Sequence, residues 1–253
     1  MIKCKICNSK TEKFDQAIIL KKYLATYYLC PNCGFIQTEP PYWLNEAYSE
    51  AIVDSDIGLV KRNVLLNQSV SSVISLCLSH CQSFLDYGGG YGLFTRLMRD
   101  TGFDFEWFDK YCDNLFAKYF EKSKEHYDLI TAFELLEHLE NPIQEIQEFL
   151  QWGDNLLFTT MIVPDPVPNI NNWWYYSPHG GQHISFYTYK SLQYVANQFQ
   201  RYYIRYGDLH LFSKEKISQW RFSMAVRFSF YFSYICKKRS LLDDDYKKIT
   251  NTF

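Results

Sequence analysis

The sequence predicts an α/β protein, with a doubly wound, Rossmann-like parallel sheet and a small metal-binding ribbon at its N-terminal end. Three observations predict it. From residue 59 onward, short apolar runs alternate with stretches of helical periodicity, the order that builds a parallel sheet covered on both faces. A glycine-dense turn, Gly88-Gly89-Gly90-Tyr91-Gly92, joins one apolar run (84–87) to a helix start. Two Cys-x-x-Cys pairs precede the sheet. A chain of 253 residues can hold one sizeable core plus a small module. The expected division is a ribbon at 1–38, a linker with helices at 39–80, a cofactor-binding core at 81–214 and a helical tail at 215–253.

Taken in order, Cys4-x-x-Cys7 and Cys30-x-x-Cys33 each set two thiols on one tight turn, and 22 residues separate the two knuckles. In a reducing compartment this pattern reads as a tetrahedral zinc site of four cysteines, structural because no ligand position stays open. A redox pair would want one Cys-x-x-Cys in a βαβ context, which is absent. The stretch 14–29 is β-rich, as a ribbon requires. Cys77, Cys81, Cys112 and Cys236 are scattered and read as core thiols. Pro40-Pro41 opens the linker, a short helix is expected over 42–51, and 59–79 has helical periodicity.

Bulk composition excludes some classes. The net charge of −2 gives no electrostatic reason to expect a nucleic-acid partner. The first residues carry no apolar stretch of signal-peptide type, and no apolar run reaches about 18 residues, so neither export nor a membrane span is expected. A cytoplasmic protein with reduced thiols is the expectation.

The glycine turn specifies its ligand further. A dinucleotide fingerprint counted from Gly88 would place its last glycine at position 93, where Leu93 stands. What remains is Asp86-x-Gly88-x-Gly90-x-Gly92. The next strand, 103–108, ends in Asp109, 21 positions after Gly88. An acid there is the expected acceptor for ribose hydroxyls. A helix is expected over 113–120, with the usual third strand reduced. Residues 127–133 form a buried strand that ends at Phe133 and continues as Glu134-Leu135-Leu136-Glu137-His138-Leu139-Glu140-Asn141-Pro142. A fifth strand is expected at 155–160 and an antiparallel pair at 201–206 and 210–213.

The glycine loop, Asp109 and the run YDLITAFELLEHLENP, in that order, resemble class I S-adenosylmethionine (SAM) methyltransferases over about residues 59–213. The resemblance implies SAM as cofactor, held by Asp86, Tyr87, Gly88, Gly90, Gly92, Asp109 and Phe133.

The acceptor side begins with a long aromatic loop, 161–177, containing Trp173-Trp174-Tyr175-Tyr176. His179 and His183 follow, flanking Gly180 and Gly181. Histidine suits a hydroxyl-deprotonating base because its pKa is near the working pH, although either ring could equally be satisfied in a structural hydrogen bond. The segment GQHISFYT resembles one in bacterial sugar methyltransferases, which favours His183 as base and a sugar or nucleotide-sugar acceptor such as a heptose of capsule or lipopolysaccharide. Zinc-containing sugar C-methyltransferases share the cysteine pairs, but this chain has Gln182 where they carry a glutamate, and it ends without their large C-terminal domain. Oxygen methylation is therefore favoured. Glu134, Glu137 and His138 compete for His183. Read as one helical turn, they share a face and with His183 could hold a divalent cation, as in metal-dependent RNA-terminal and quinone O-methyltransferases. A bracing role for these acids stays open, as do a phosphoramidate or other small capsule precursor, an RNA substrate and a non-catalytic fold. The tail, 215–238, reads as one amphipathic aromatic helix, either docked on the core, forming a homodimer contact, or lying on a membrane surface.

Overall fold

The computed structural model describes residues 2–48 and 56–250. Strands β1 (Glu12–Ile19), β2 (Tyr23–Leu29) and β3 (Ile36–Thr38) lead to a short helix α1 (Leu44–Ala47) and the long α2 (Leu59–Cys77). Then come β4 (Phe84–Tyr87), α3 (Leu93–Asp100), β5 (Phe105–Phe108), β6 (Tyr127–Ala132), α4 (Pro142–Trp152) and β7 (Gly153–Thr159). The chain closes with β8 (Ser185–Phe186), α5 (Tyr189–Gln198), β9 (Tyr202–Tyr206), β10 (Leu209–Ser213), α6 (Gln219–Arg227), α7 (Ser229–Ile235) and α8 (Leu242–Thr250). The expected helix at 42–51 is confined to Leu44–Ala47 among the described residues, and 49–51 lie outside them.

The main sheet has the order β5-β4-β6-β7-β10-β9. β5, β4, β6 and β7 run parallel, and β10 is antiparallel to both β7 and β9. Successive residues face opposite layers. Leu85, Tyr87, Ile130 and Leu156 pack on one side, while Phe84, Leu129 and Leu157 pack on the other. The first layer is covered by α4 and α5, the second by α2, α3 and α6. This is the doubly wound, Rossmann-like arrangement the sequence predicts. The strand order reverses between β5 and β6 about β4, and in doubly wound sheets ligands bind beyond the C-terminal strand ends at such a switch point.

Local chemistry sets the helix starts that matter here. Pro142 occupies the first helical turn of α4, where its missing N–H costs nothing. Thr188 and Ser191 form a reciprocal capping box on α5.

The cysteine module is not separate from this body. Its sheet has the order β1-β2-β3-β8, so a two-residue strand from the far side of the chain completes it. Cys4, Ile6, Cys30, Cys33 and Phe35 belong to the same core cluster as Leu85 and Tyr87.

Several expectations change. No helix forms over 113–120: the Asn114 side chain accepts from the Ala117 N–H and donates to its carbonyl, and Tyr119 takes a left-handed backbone with φ 75°. The third strand is reduced to one bridge between Trp107 and Glu121. The tail is two helices broken at Phe228, followed by α8, which the sequence reading did not separate.

Helix α8 is tied to α3 by charge. Asp245 pairs with Arg99 at 2.6 Å and Arg96 at 2.8 Å, and its side chain is only 5% exposed. Arg99 also pairs with Asp104 and lies over the Phe120 ring. Burial pushes the Asp245 pKa up, but the two guanidinium groups outweigh it and hold the carboxyl below its ordinary 3.8. A depressed carboxyl stabilises the fold above its unfolded value, so this stabilisation is complete above about pH 4 and is lost as the pH falls through the lower folded-state value. Asp245→Ala leaves the buried Arg99 and the half-buried Arg96 short of a partner. It is expected to cost about 3 kcal/mol, read as a drop in Tm of roughly 6–12 °C by calorimetry; a change within about 2 °C would show that the cluster does not hold the tail.

Candidate active site

The glycine turn wraps around the C-terminal end of β4. Gly88, Gly90 and Gly92 have φ of 69°, 53° and 86°, a region that side chains disfavour. Gly89 is required for a different reason. A Cβ there would sit 2.7 Å from both Asp86 Oδ2 and the Trp107 ring. Gly88 and Gly89 donate to the Phe108 carbonyl, and Trp107 Nε1 donates to the Gly90 carbonyl at 2.9 Å. The turn is thus clamped to β5 by the Phe108 carbonyl and by the Trp107 side chain.

Asp86 lies beneath this turn rather than at its mouth. It is 2% exposed, and its two oxygens accept from Thr131 Oγ1 at 2.9 Å and Thr95 Oγ1 at 3.0 Å. Burial raises its pKa to about 7. Tyr87 turns its ring into the core, against Phe108, Phe149 and Trp152, so only its backbone faces the crevice side of the turn. Phe133 is half-buried edge-on to Phe94, with centroids 4.9 Å apart.

Asp109 stands where a ribose acceptor is expected, one residue past β5. Its Oδ2 accepts from the Gly90 N–H at 2.9 Å, and its Oδ1 accepts from the N–H groups of Tyr111 and Cys112. These donors fix the carboxylate beside the glycine turn.

The second constellation gathers past β6 and β7. Glu137, His138 and His183 offer ligand atoms that all lie within 4.8 Å of one another. Glu137 is fully buried, and neither of its carboxylate oxygens makes a hydrogen bond. Burial, reinforced by Glu134, raises its pKa to about 8. Burial also lowers both histidines, His183 to about 4, so both rings are neutral at pH 7. His183 Nδ1 donates to the Tyr175 carbonyl at 2.7 Å, because a carbonyl can only accept, and this leaves Nε2 with its lone pair. His138 Nδ1 shares a hydrogen bond with the Tyr48 hydroxyl at 3.0 Å. Two neutral imidazoles with fixed second nitrogens and one unpartnered carboxylate form a donor set that fits a divalent cation.

Glu134 is outside this trio, and the expected single helical turn does not form. Its backbone is left-handed at φ 51°, and the only helical residues nearby are the 3₁₀ turn Leu136–His138. Thr159 explains the geometry: its hydroxyl accepts from the Glu134 N–H at 2.9 Å and donates to Oε1 at 2.8 Å. Arg62 approaches Oε2 at 3.9 Å. His179 is exposed and faces no partner in the trio at hydrogen-bond range. Gln182, the substitute for a family glutamate, is buried and donates to the Ala47 carbonyl at 2.8 Å. Tyr48, Tyr111, Arg62 and Thr159 carry no motif that announces a place in the site; Tyr48 and Tyr111 stack at 5.8 Å between its two halves.

At the N-terminal end, the four cysteine sulfurs also lie within 4.8 Å of one another, with Cys4–Cys33 at 3.6 Å and Cys7–Cys30 at 3.5 Å. A Zn–S distance of about 2.3 Å gives tetrahedral edges of about 3.8 Å, so the set fits zinc. Cys7→Ser is expected to lower bound zinc from one equivalent per chain, measured by elemental analysis after dialysis; undiminished zinc would exclude this site. Asp109→Ala is expected to weaken SAM binding by about 2 kcal/mol, roughly thirtyfold by calorimetry, since it removes a charged acceptor. Unchanged affinity would mean that the ribose lies elsewhere.

The methyltransferase-domain family matches residues 59–202, more than half of the chain. No curated protein matches it. Among solved structures, an O-methyltransferase family protein from Burkholderia thailandensis is 14% identical, with 68% of each chain covered and a TM-score of 0.48. A plantazolicin methyltransferase in complex with a monoazolic desmethylPZN analogue and SAH is 14% identical, covering 62% of this chain and 72% of its own, with a TM-score of 0.42. An O-methyltransferase family 2 protein from Planctomyces limnophilus, in complex with apigenin, is 11% identical over 67% of this chain and 66% of its own, with a TM-score of 0.43. With a glycine turn braced on a buried acid, a second acid at the end of the neighbouring strand, and a family match that spans both, the chain belongs to the methyltransferase-domain family and is a SAM-dependent methyltransferase.

Proposed function

We propose that the chain methylates a hydroxyl of a small sugar, in nucleotide-activated form, with capsule or lipopolysaccharide precursors such as a heptose as the substrate class and the cytoplasm as the compartment. One observation carries the acceptor side: Glu137 is wholly buried with both oxygens unpartnered, beside two neutral histidines. Burial keeps this carboxyl protonated at pH 7 when nothing is bound, and a bound cation would displace the proton and supply the missing partner. Glu137, His138 Nε2 and His183 Nε2 would hold a divalent cation. Bound there, such an ion supplies a clamp for two neighbouring hydroxyls and lowers the pKa of the one that reacts.

The chain's own residues do the remaining work. Asp109 and the glycine turn fix the cofactor, and Tyr175 and Tyr48 hold the two imidazole rings in one orientation. Trp174 is 73% exposed next to Tyr175, an open aromatic face of the kind on which the apolar side of a sugar ring stacks. Orientation for in-line attack on the sulfonium methyl is the main demand on the site, because the transfer itself needs only an aligned lone pair. Tyr175 and Phe186 close the apolar floor behind His183.

A second reading keeps His183 as general base. Its Nδ1–H on the Tyr175 carbonyl leaves Nε2 free to take the hydroxyl proton. The two readings part on metal. With a cation, turnover of labelled SAM against nucleotide-linked sugars is abolished by a chelator and restored by a divalent salt, and Glu137→Gln loses at least about a hundredfold in kcat. Glu134→Gln is expected to lose less, since its carboxylate is held by Thr159 and Arg62. Chelator-insensitive turnover that His183→Ala still lowers would leave the base reading standing. No transfer to any sugar, with SAM bound, would move the search to phosphoramidates, carbon acceptors and RNA ends.

A further inference from the structure

Helix α7 is unusual in this molecule: none of its seven residues is buried. Yet four of the seven are aromatic, reading Ser-Phe-Tyr-Phe-Ser-Tyr-Ile. Phe230 is 66%, Tyr231 64%, Tyr234 81% and Ile235 73% exposed, and Trp220 on the adjoining α6 is 72% exposed. Helix α6 anchors the pair, with Phe222 and Ala225 buried against α2. The outward face is therefore apolar by composition, on a segment firmly attached to the enzyme.

Charge identifies what covers it. From 219 to 239 the chain has Arg221, Arg227, Lys237, Lys238 and Arg239, with no aspartate or glutamate. Lys238 turns inward over the Phe103 ring, and Arg239 pairs with Asp244. Arg221, Arg227 and Lys237 remain exposed and form no ion pair among the described residues. Of the acidic run at 243–245, Asp245 is taken up by Arg96 and Arg99 and Asp244 by Arg239, so only Asp243 stands against the three cations. A two-fold contact with a second copy would bring three like charges against their own kind. An anionic bilayer meets both properties at once: Trp and Tyr favour the headgroup level, and arginine and lysine reach phosphates from there. No described helix is long and apolar enough to cross a membrane, so the contact is one of lying on the surface.

We propose that α6 and α7 form an interfacial docking surface for an anionic lipid bilayer. The full chain is mixed with vesicles of phosphatidylcholine alone or with added phosphatidylglycerol, and binding is read by co-sedimentation. The expected result is binding to the anionic vesicles at least about tenfold tighter than to the neutral ones, weakened by high salt. Arg221→Glu combined with Arg227→Glu and Lys237→Glu is expected to lower that affinity by about a hundredfold, and Phe230→Ser with Tyr234→Ser to lower it on both vesicle types. Lipids brominated in their tails should quench part of the tryptophan emission, and Trp220→Phe should remove that part. SAM affinity by calorimetry should stay unchanged in every variant, which keeps misfolding distinct from lost docking. No binding to anionic vesicles at low salt would overturn the proposal. So would equal binding by the charge-reversed variant, or a dimer in light scattering that Phe230→Ser with Tyr234→Ser makes monomeric.

Discussion

The cluster of Glu137, His138 and His183 depends on five residues, 184–188, which stitch three otherwise separate parts together. The Ile184 N–H donates to the Glu137 carbonyl at 2.9 Å, Ser185 Oγ to the Leu139 carbonyl at 2.7 Å, and the Tyr187 hydroxyl to the Leu136 carbonyl at 2.9 Å. Those bonds hold the turn that carries Glu137 and His138. On its other edge the same segment pairs with β3 as β8, and Thr188 Oγ1 donates to the Cys33 carbonyl. His183 immediately precedes it. The approach of His183 to Glu137 and His138 is thus fixed by one backbone bond and by buried side-chain hydroxyls held on backbone carbonyls, which is what a preorganised site requires.

This arrangement gives the cysteine module a physical role away from any chemistry of its own. Its hairpin also buttresses the aromatic loop. The Leu20 N–H donates to the Pro178 carbonyl, Asp15 Oδ2 accepts from the Ile170 N–H, and a Cβ on Gly181 would lie 2.8 Å from Ile19. Trp43 Nε1 donates to the Gly181 carbonyl at 2.8 Å and closes the loop from the other side. A zinc ion locking the two knuckles would stiffen the β3 edge on which β8 rests. By connectivity the module supports the loop and turn around Glu137, His138 and His183, and a zinc held there would act through shape.

The cofactor side works by a different economy. Asp86 is buried where its charge is disfavoured, and two threonine hydroxyls hold it under the glycine turn. Asp109 sits at the surface of the crevice with backbone donors on both oxygens. One acid is buried beneath the turn and the other is tied by backbone donors beside it, although the sequence presents both simply as acids near glycines. The stacked Tyr48 and Tyr111 link this half to His138, so the two sites share a side-chain path of three rings.

Much of the fold was legible because its signals are local. Glycines at positive φ, paired cysteines on tight turns and apolar runs of four to seven residues leave their mark in adjacent positions, and they gave the doubly wound sheet, the cysteine cluster and the place of Asp109. The spacing of Glu134, Glu137 and His138 suggested one helical turn; that turn does not form, and Glu137 and His138 come beside His183 from a 3₁₀ turn while Glu134 is drawn away. Thr159, 25 residues away, takes Glu134 into a left-handed conformation that no local propensity favours. Likewise, a two-residue strand such as β8 carries no periodicity, and the roles of Tyr48, Gln182 and Asp245 depend on partners 90, 135 and 146 residues distant. The sequence by itself determined the cofactor loop and the two metal-ligand vocabularies, because short-range backbone geometry encodes them. Only the tertiary structure decided which acids meet which histidines and what the cysteine module supports, because those contacts are made by segments that meet only after the sheet has formed.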